Sequence, residues 1–146
     1  MKVLFLDIDG VLVTVRSHVA LGTGKQMRAF DPVGLAFVRK IAEQGVRVVI
    51  SSIWRFHNTK ADMEALLGFE LHPHWRTADL RSFDGAGRAE EIHTWVADHH
   101  DVEKYAVLDD MRCPLVGVYY WVEVDGLAGI SCCNYRELEE ILDLKE

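Results

Sequence analysis

Long apolar runs are absent from this chain, and cysteine is scarce. No stretch reaches the roughly 20 apolar residues that a membrane-spanning helix needs, so we expect no transmembrane segment. Three cysteines, two of them adjacent, are too few for a disulfide framework and indicate a reducing compartment, the cytoplasm. The first residues lack an apolar segment with a cleavage site, so we also expect no secretory leader.

Positive charge is in short supply as well. The chain has 16 Lys and Arg against 23 Asp and Glu, which gives a net charge of -7. A negative net charge argues against electrostatic binding of nucleic acid over a broad surface, although it does not exclude a local basic patch. The hydrophobic fraction of 49% is ordinary for a globular chain, and no repeat or linker interrupts it. We therefore interpret residues 1–146 as one domain.

The most informative stretch is an apolar run, Val3–Leu6, that ends in Asp7, Asp9 and Gly10. Its length and its β-branched and aromatic content are typical of a buried strand. Carboxylates at the end of such a strand must be solvated, paired or bound to a cation. In an extended backbone Asp7 and Asp9 point the same way, and Gly10 permits a sharp turn. The pattern predicts a site for a hard cation such as Mg²⁺.

Polar residues also follow two later predicted strands. Val46–Ile50 is followed by Ser51 and Ser52, and Tyr105–Leu108 by Asp109 and Asp110. A fourth strand is predicted at Tyr119–Val124. Because parallel strands end at one edge of a sheet, these side chains should converge there. Four converging carboxylates would repel each other without a cation, so we predict an all-oxygen Mg²⁺ site.

Helical patterns lie between the predicted strands. We expect one helix after a cap at Asp31 and ending at Gly45, one at Lys60–Leu67, one at Arg88–His99, and one opening at Asn134 as its cap. The basic stretch Thr14–Phe30 has no clear period and is predicted to be a loop. Strands alternating with helices predict an α/β, three-layer sandwich with a mostly parallel, Rossmann-like sheet.

Three motifs resemble those of the haloacid dehalogenase (HAD) superfamily of phosphotransferases. They are Leu6-Asp7-Ile8-Asp9-Gly10-Val11-Leu12, Val49-Ile50-Ser51 and Leu108-Asp109-Asp110, in the superfamily's order. The segments Ser51-Ser52-Ile53-Trp54-Arg55 and Gly87-Arg88-Ala89-Glu90-Glu91-Ile92 further resemble a small, compact branch. Members of that branch occur alone or alongside RNA-repair modules.

The resemblance implies a phosphatase that works through an aspartyl-phosphate. Asp7 would be the nucleophile and Asp9 the general acid and base, with Asp9 also offering its backbone carbonyl to Mg²⁺. Asp109 would complete the metal site, and Asp110 would support it through a water molecule or a hydrogen bond to a ligand. Ser51 would hydrogen-bond a phosphate oxygen. The carboxylate at Asp9 favours phosphatase over dehalogenase chemistry, because dehalogenase-like members lack one there.

One departure from the superfamily concerns its usual lysine. No Lys lies between Lys60 and Lys104, and Arg88 at the start of a predicted helix is the expected substitute, with Arg55 as the second candidate. We expect Gly10, Ser52 and Arg55 to contact the substrate.

The predicted site is open, because neither interval that holds a cap domain in HAD enzymes is long enough for one. An open site suits a terminal phosphate on a nucleotide or polynucleotide; a phosphoprotein or a small metabolite is the alternative. Two other classes stay open: a phosphate-accepting, receiver-like module and a non-catalytic binding module. We expect no obligate protein partner. Trp54, Trp75 and Tyr119 could stack on a base, but core packing is the commoner role for each.

Overall fold

The computed structural model describes residues 1–22, 30–80, 87–113, 115 and 117–145. Within them the chain forms four strands, five α-helices and one 3-10 helix. In chain order these are β1 (Lys2–Leu6), α1 (Val15–Leu21), α2 (Pro32–Glu43), β2 (Arg47–Ile50), the 3-10 helix (Ile53–Phe56), α3 (Lys60–Leu67), α4 (Gly87–Ala97), β3 (Lys104–Asp109), β4 (Trp121–Glu123) and α5 (Cys132–Ile141).

The four strands form one sheet in the order β2-β1-β3-β4, and every neighbouring pair is parallel. Leu6 pairs with Ile50 on one side and with Leu108 on the other. The residues that follow these three strand ends therefore meet at one edge, which confirms the predicted α/β architecture.

Two apolar cores flank the sheet, because successive side chains of a strand point to opposite faces. Leu4 and Leu6 of β1 pack in the larger core, which includes buried residues of α2, α3 and α5. Val3 and Phe5 pack in the smaller core against buried residues of α4, Ile92 and Trp95. Helices on both faces give the three-layer sandwich that the sequence predicts.

The local signals for α2 and α3 act as predicted. The Asp31 carboxylate accepts a hydrogen bond from the Val33 N–H at 3.0 Å, and Pro32 occupies the first turn of α2. Gly68 ends α3 in the left-handed conformation, with φ +81°.

Two element predictions need correction. The expected loop Thr14–Phe30 contains α1, because Thr14 and Ser17 cap its first turn reciprocally. The basic residues Lys25 and Arg28 of that stretch lie outside the described residues. Helix α5 begins three residues earlier than expected, since its cap is Ser131 and Asn134 is the partner that bonds back to it.

The two intervals that could hold a cap domain are small. Between β1 and α2 the described residues form only the helix α1, and between β2 and α4 only the 3-10 helix and α3. In the described part of the chain, no folded cap covers the edge where the strands end. Nor does that part contain a helix long and apolar enough to cross a membrane.

Candidate active site

The candidate site is built at the carboxyl ends of β1, β2 and β3. The Asp7 N–H donates to the Leu108 carbonyl at 3.0 Å, and the Ser51 N–H donates to the Leu6 carbonyl at 3.0 Å. These backbone bonds hold Asp7 between the Ser51 and Asp109 positions. The sheet thus brings together the three strand ends that the sequence singled out.

A tight turn follows Asp7. The Ile8 carbonyl accepts from the N–H groups of residues 11, 12 and 13, and Gly10 takes a φ of +79°. A Cβ at Gly10 would also overlap the carboxylate of Asp110. Gly10 is therefore required both for the turn and for the close approach of Asp110.

Three carboxylates form a compact group beside this turn. Asp7, Asp109 and Asp110 each present an oxygen within 4.8 Å of the others'. Oxygen ligands lie about 2.1 Å from Mg²⁺ and hence at most about 4.2 Å from one another, so a small contraction would let all three bind one ion. Hard oxygen donors alone suit Mg²⁺, so the donor set fits the predicted metal.

The Asp9 carboxylate lies outside this group. It is exposed, and its Oδ1 accepts a hydrogen bond from the Trp54 indole Nε1 at 3.1 Å. The turn after Ile8 explains the difference, since the alternation that aims Asp7 and Asp9 together requires an extended backbone. Only the backbone carbonyl of Asp9 remains as its predicted metal ligand.

Arg88 supplies the positive charge next to the carboxylates. Its Nη1 lies 2.6 Å from Asp109 Oδ2 and 3.3 Å from Asp7 Oδ2, at the first turn of α4. The other oxygen of Asp109 accepts the Met111 N–H at 2.8 Å. Arg88 therefore places a guanidinium in contact with two of the three carboxylates.

Burial shifts the acid–base equilibria of this group. Asp7 is 4% exposed, and its pKa is raised from 3.8 to about 7. Burial is the largest cause and the Asp109 charge adds to it, while the Arg88 charge opposes both. Burial likewise raises the pKa of Asp109, against the lowering effect of Arg88. Burial works to lower the pKa of Arg88, but the charges of Asp7 and Asp109 outweigh it and raise that pKa. The site thus concentrates negative charge that one arginine only partly offsets.

The two serines after β2 differ in role. Ser51 is fully buried, and its hydroxyl has no hydrogen-bond partner among the described residues. An unpaired buried hydroxyl costs free energy, so Ser51 Oγ is a candidate donor to a ligand oxygen at this edge of the sheet. The Ser52 hydroxyl instead caps the 3-10 helix by accepting the Trp54 N–H at 3.3 Å.

Arg55 is turned into the protein, contrary to the expected contact with substrate. It donates to the Ser51 carbonyl at 2.7 Å, to the Thr77 and Ala78 carbonyls at 3.1 and 3.2 Å, and to Glu91 Oε2 at 3.0 Å. With 3% of its side chain exposed, it is not available to a phosphate. We correct its role to structural support, which leaves Arg88 as the candidate cation.

The sequence interpretation missed two contributors. Glu91 is buried. It accepts hydrogen bonds from Arg55 and, at 3.1 Å, from the Leu80 N–H. The sequence does carry a signal for Glu91. It is a charged residue three positions after Arg88 and four before Trp95, a spacing that places it on the buried face of the helix. The sequence pattern indicates a packing or stacking role for Trp54 within a segment that resembles the compact branch, but no sequence signal predicts its hydrogen bond to Asp9.

Comparison with known proteins identifies a family. The family model described as the HAD domain in Swiss Army Knife RNA repair proteins matches residues 3–132. That range contains the three carboxylates, Arg88 and Ser51. No curated protein and no solved structure matches the chain significantly.

Proposed function

The chain belongs to the family of HAD domains in Swiss Army Knife RNA repair proteins, and from this premise we propose that it is a Mg²⁺-dependent phosphomonoester hydrolase. One observation carries the proposal: Asp7, Asp109 and Asp110 converge beside Arg88 and the unpartnered Ser51 hydroxyl. Hard oxygen ligands, a cation and a free donor are what phosphoryl transfer requires of a site.

The reaction has two proposed steps. A carboxylate oxygen of Asp7 attacks phosphorus, the P–O ester bond breaks, and Asp9 donates a proton to the leaving oxygen. Water then attacks the aspartyl-phosphate, Asp9 accepts its proton, and phosphate leaves with Asp7 restored. Ser51 and Arg88 hydrogen-bond the phosphoryl oxygens in both steps.

The metal ligands in this proposal are the side chains of Asp7, Asp109 and Asp110 and the backbone carbonyl of Asp9. Bound Mg²⁺ supplies positive charge that favours the ionised carboxylates and offsets the phosphoryl charge. The charge of the ion would lower the raised pKa of Asp7, which matters because only the carboxylate form is a nucleophile. A site this rich in buried acids therefore depends on its cation.

We propose a terminal phosphate on a nucleotide or polynucleotide as the substrate. The open strand edge in the described residues supports a bulky substrate, and the RNA-repair description of the family supports a nucleic-acid one. The net charge of -7 weighs against a long polymer and towards a short end or a free nucleotide. A phosphoprotein or a small metabolite is the alternative substrate.

We expect phosphate release to depend on Mg²⁺. The assay uses an aryl phosphate and a panel of 3′- and 5′-phosphorylated nucleotides and oligonucleotides, with and without EDTA. Release should fall to the uncatalysed rate with EDTA and recover with excess Mg²⁺. Continuous release that is insensitive to EDTA would contradict the metal site. A single stoichiometric phosphorylation without turnover would instead favour the receiver-like alternative.

Two substitutions of Arg88 test whether its charge and its planar fork contribute to activity. Arg88→Ala should lower kcat/KM about a hundredfold, because a charged donor to the phosphoryl oxygens is lost. Arg88→Lys should keep a measurable part of the activity, since it restores the charge without the planar fork. Steady-state kinetics on one nucleotide measures both variants. Equal activity of Arg88→Ala and wild type would rule out this role.

A further inference from the structure

A small cleft lies beside the 3-10 helix Ile53–Phe56. It has a volume of about 240 Å³ and is lined by Ile53, Trp54, His57 and Asn58. Binding sites for whole small molecules span about 300–1,000 Å³, so this cleft has room for one ring system rather than a complete ligand.

The cleft is joined to the candidate active site through Trp54. Trp54 is one of the residues that line the cleft, and its indole Nε1 donates to Asp9 Oδ1 at 3.1 Å. The Trp54 carbonyl accepts a hydrogen bond from Asn58 Nδ2 at 3.0 Å, so the cleft wall is tied to the same residue. A group held in the cleft would therefore contact the residue that donates to the Asp9 carboxylate.

The lining has the chemistry of an aromatic-ring subsite. Ile53 is 55% exposed although it is a large apolar residue, and His57 is exposed next to the half-buried Trp54. An apolar side chain and an aromatic residue can stack a ring, and an imidazole or an amide beside them can hydrogen-bond its polar edge. No such combination is needed to bind the phosphate itself.

We propose that this cleft binds the base of the leaving nucleoside, an inference that rests on the proposed phosphatase function. In that function Asp9 protonates the leaving oxygen, so the leaving group must lie next to Asp9 and hence beside Trp54. The phosphate then occupies the carboxylate and Arg88 side of Asp9, while the base occupies the cleft. This assigns specificity for a nucleotide to Ile53, Trp54 and His57.

The first test compares nucleotides with base-free substrates. Wild type should hydrolyse nucleoside monophosphates with a kcat/KM on the order of tenfold above that of ribose phosphate or phosphotyrosine. His57→Ala and Ile53→Ser should each reduce this preference several-fold, mainly by raising KM for the nucleotide. Tyr119→Ala is the matched control, because Tyr119 is an 81% exposed aromatic residue outside the cleft; it should leave the preference unchanged.

The second test needs no turnover. The four tryptophans give four indole N–H signals in a ¹⁵N–¹H spectrum, and Trp54→Phe identifies that of Trp54 by its loss. Adenosine added to the metal-free protein should shift the Trp54 signal, whereas ribose should not.

The outcomes separate the cleft from the phosphatase function. Equal hydrolysis of nucleotides and ribose phosphate, with no adenosine shift, would overturn the base subsite and leave the phosphatase intact. A preference for phosphotyrosine over nucleotides would also overturn it. An adenosine shift at Trp54 without phosphate release from any substrate would support the subsite and remove the phosphatase function.

Discussion

Asp7→Asn is expected to abolish phosphate release and at the same time to make the metal-free protein more stable. The loss of activity should be roughly a thousandfold or more, because an amide cannot replace the proposed nucleophile. The gain in stability has a separate cause, the burial of a carboxylate among other carboxylates. Both effects arise from the Asp7 carboxylate, so this one variant tests the chemistry and the electrostatics of the site.

The stability effect depends on pH with a defined sign. Burial raises the pKa of Asp7 from 3.8 to about 7 in the folded chain, so the folded state holds a proton that the unfolded state has released between these values. Wild-type stability therefore falls relative to Asp7→Asn as pH rises from about 4 to about 7. One pKa unit corresponds to about 1.4 kcal/mol, so the full shift would correspond to at most about 4 kcal/mol. Relaxation of the protein and water penetration around the charge should reduce the difference above pH 7 to the order of 1–3 kcal/mol.

Thermal unfolding of the metal-free proteins at several pH values measures this difference. Near pH 4 wild type and Asp7→Asn should melt together, and at pH 8 the variant should melt on the order of 5 °C higher. Mg²⁺ should raise the Tm of wild type more than that of the variant, because the ion binds the folded carboxylate group. Asp98→Asn, an exposed acid outside the site, should change neither Tm nor activity. A destabilised Asp7→Asn at pH 8 would contradict the assigned burial of charge.

Asp7, Ser51 and Asp109 could be grouped from the sequence because a simple rule connects pattern to place. Apolar runs ending in polar residues predict strands, and parallel strands end at one edge of the sheet. The register of Leu6 with Ile50 and Leu108 confirms that grouping. The rule needs no knowledge of side-chain direction, which is why it succeeds for strand ends.

Side-chain direction and tertiary partners were beyond the same rule. Asp9 lies two residues from Asp7, yet the turn at Gly10 sends its carboxylate to Trp54 instead of the acidic group. Arg55 has the same charge as Arg88, but it is held in the interior by an ion pair with Glu91, 36 residues away in sequence, and by hydrogen bonds to three backbone carbonyls. Such contacts depend on how α4 packs on the sheet, which no local pattern encodes.

Caps were misread for a related reason. Ser131 and Asn134 are both good capping residues, and they bond to each other, so composition alone does not say which opens α5. In the same way, Thr14 and Ser17 cap α1 without the acidic residue that usually marks a capping box. In both cases the helix begins at the first of the two polar residues.

Arg55→Met is expected to be strongly destabilising. Arg55 and Glu91 form an ion pair at 3.0 Å with 3% and 8% of their side chains exposed. Removing the cation leaves Glu91 buried without its charge partner, which typically costs about 3–5 kcal/mol. The same change frees the Ser51, Thr77 and Ala78 carbonyls from their donor.

This loss should also reach the active site. Glu91 and Arg88 lie three residues apart on α4, about one turn of the helix. The Arg55–Glu91 ion pair therefore connects this turn to the 3-10 helix that follows β2 and helps to position Arg88. We therefore expect Arg55→Met to lower kcat more than it raises KM for a nucleotide, since Arg55 itself does not contact the substrate. A change confined to KM would instead restore Arg55 as a substrate-binding residue.

A double-mutant cycle in urea distinguishes a buried pair from two unrelated residues. Glu91→Met alone should be strongly destabilising, whereas Arg55→Met with Glu91→Met should cost less than the sum of the single changes, because neither charge is left alone. The control is Arg136→Met, which breaks an ion pair to Glu139 at 3.1 Å with the arginine 67% exposed and should cost at most about 1 kcal/mol. Additive single costs, each no larger than that of Arg136→Met, would show that Arg55 does not bind α4 to the sheet. A large coupling energy would show that Arg55 and Glu91 stabilise the fold as a pair. The Arg55 guanidinium is then engaged by Glu91 and does not bind the substrate, although it lies near the proposed site, and Arg88 is the arginine that binds the phosphate.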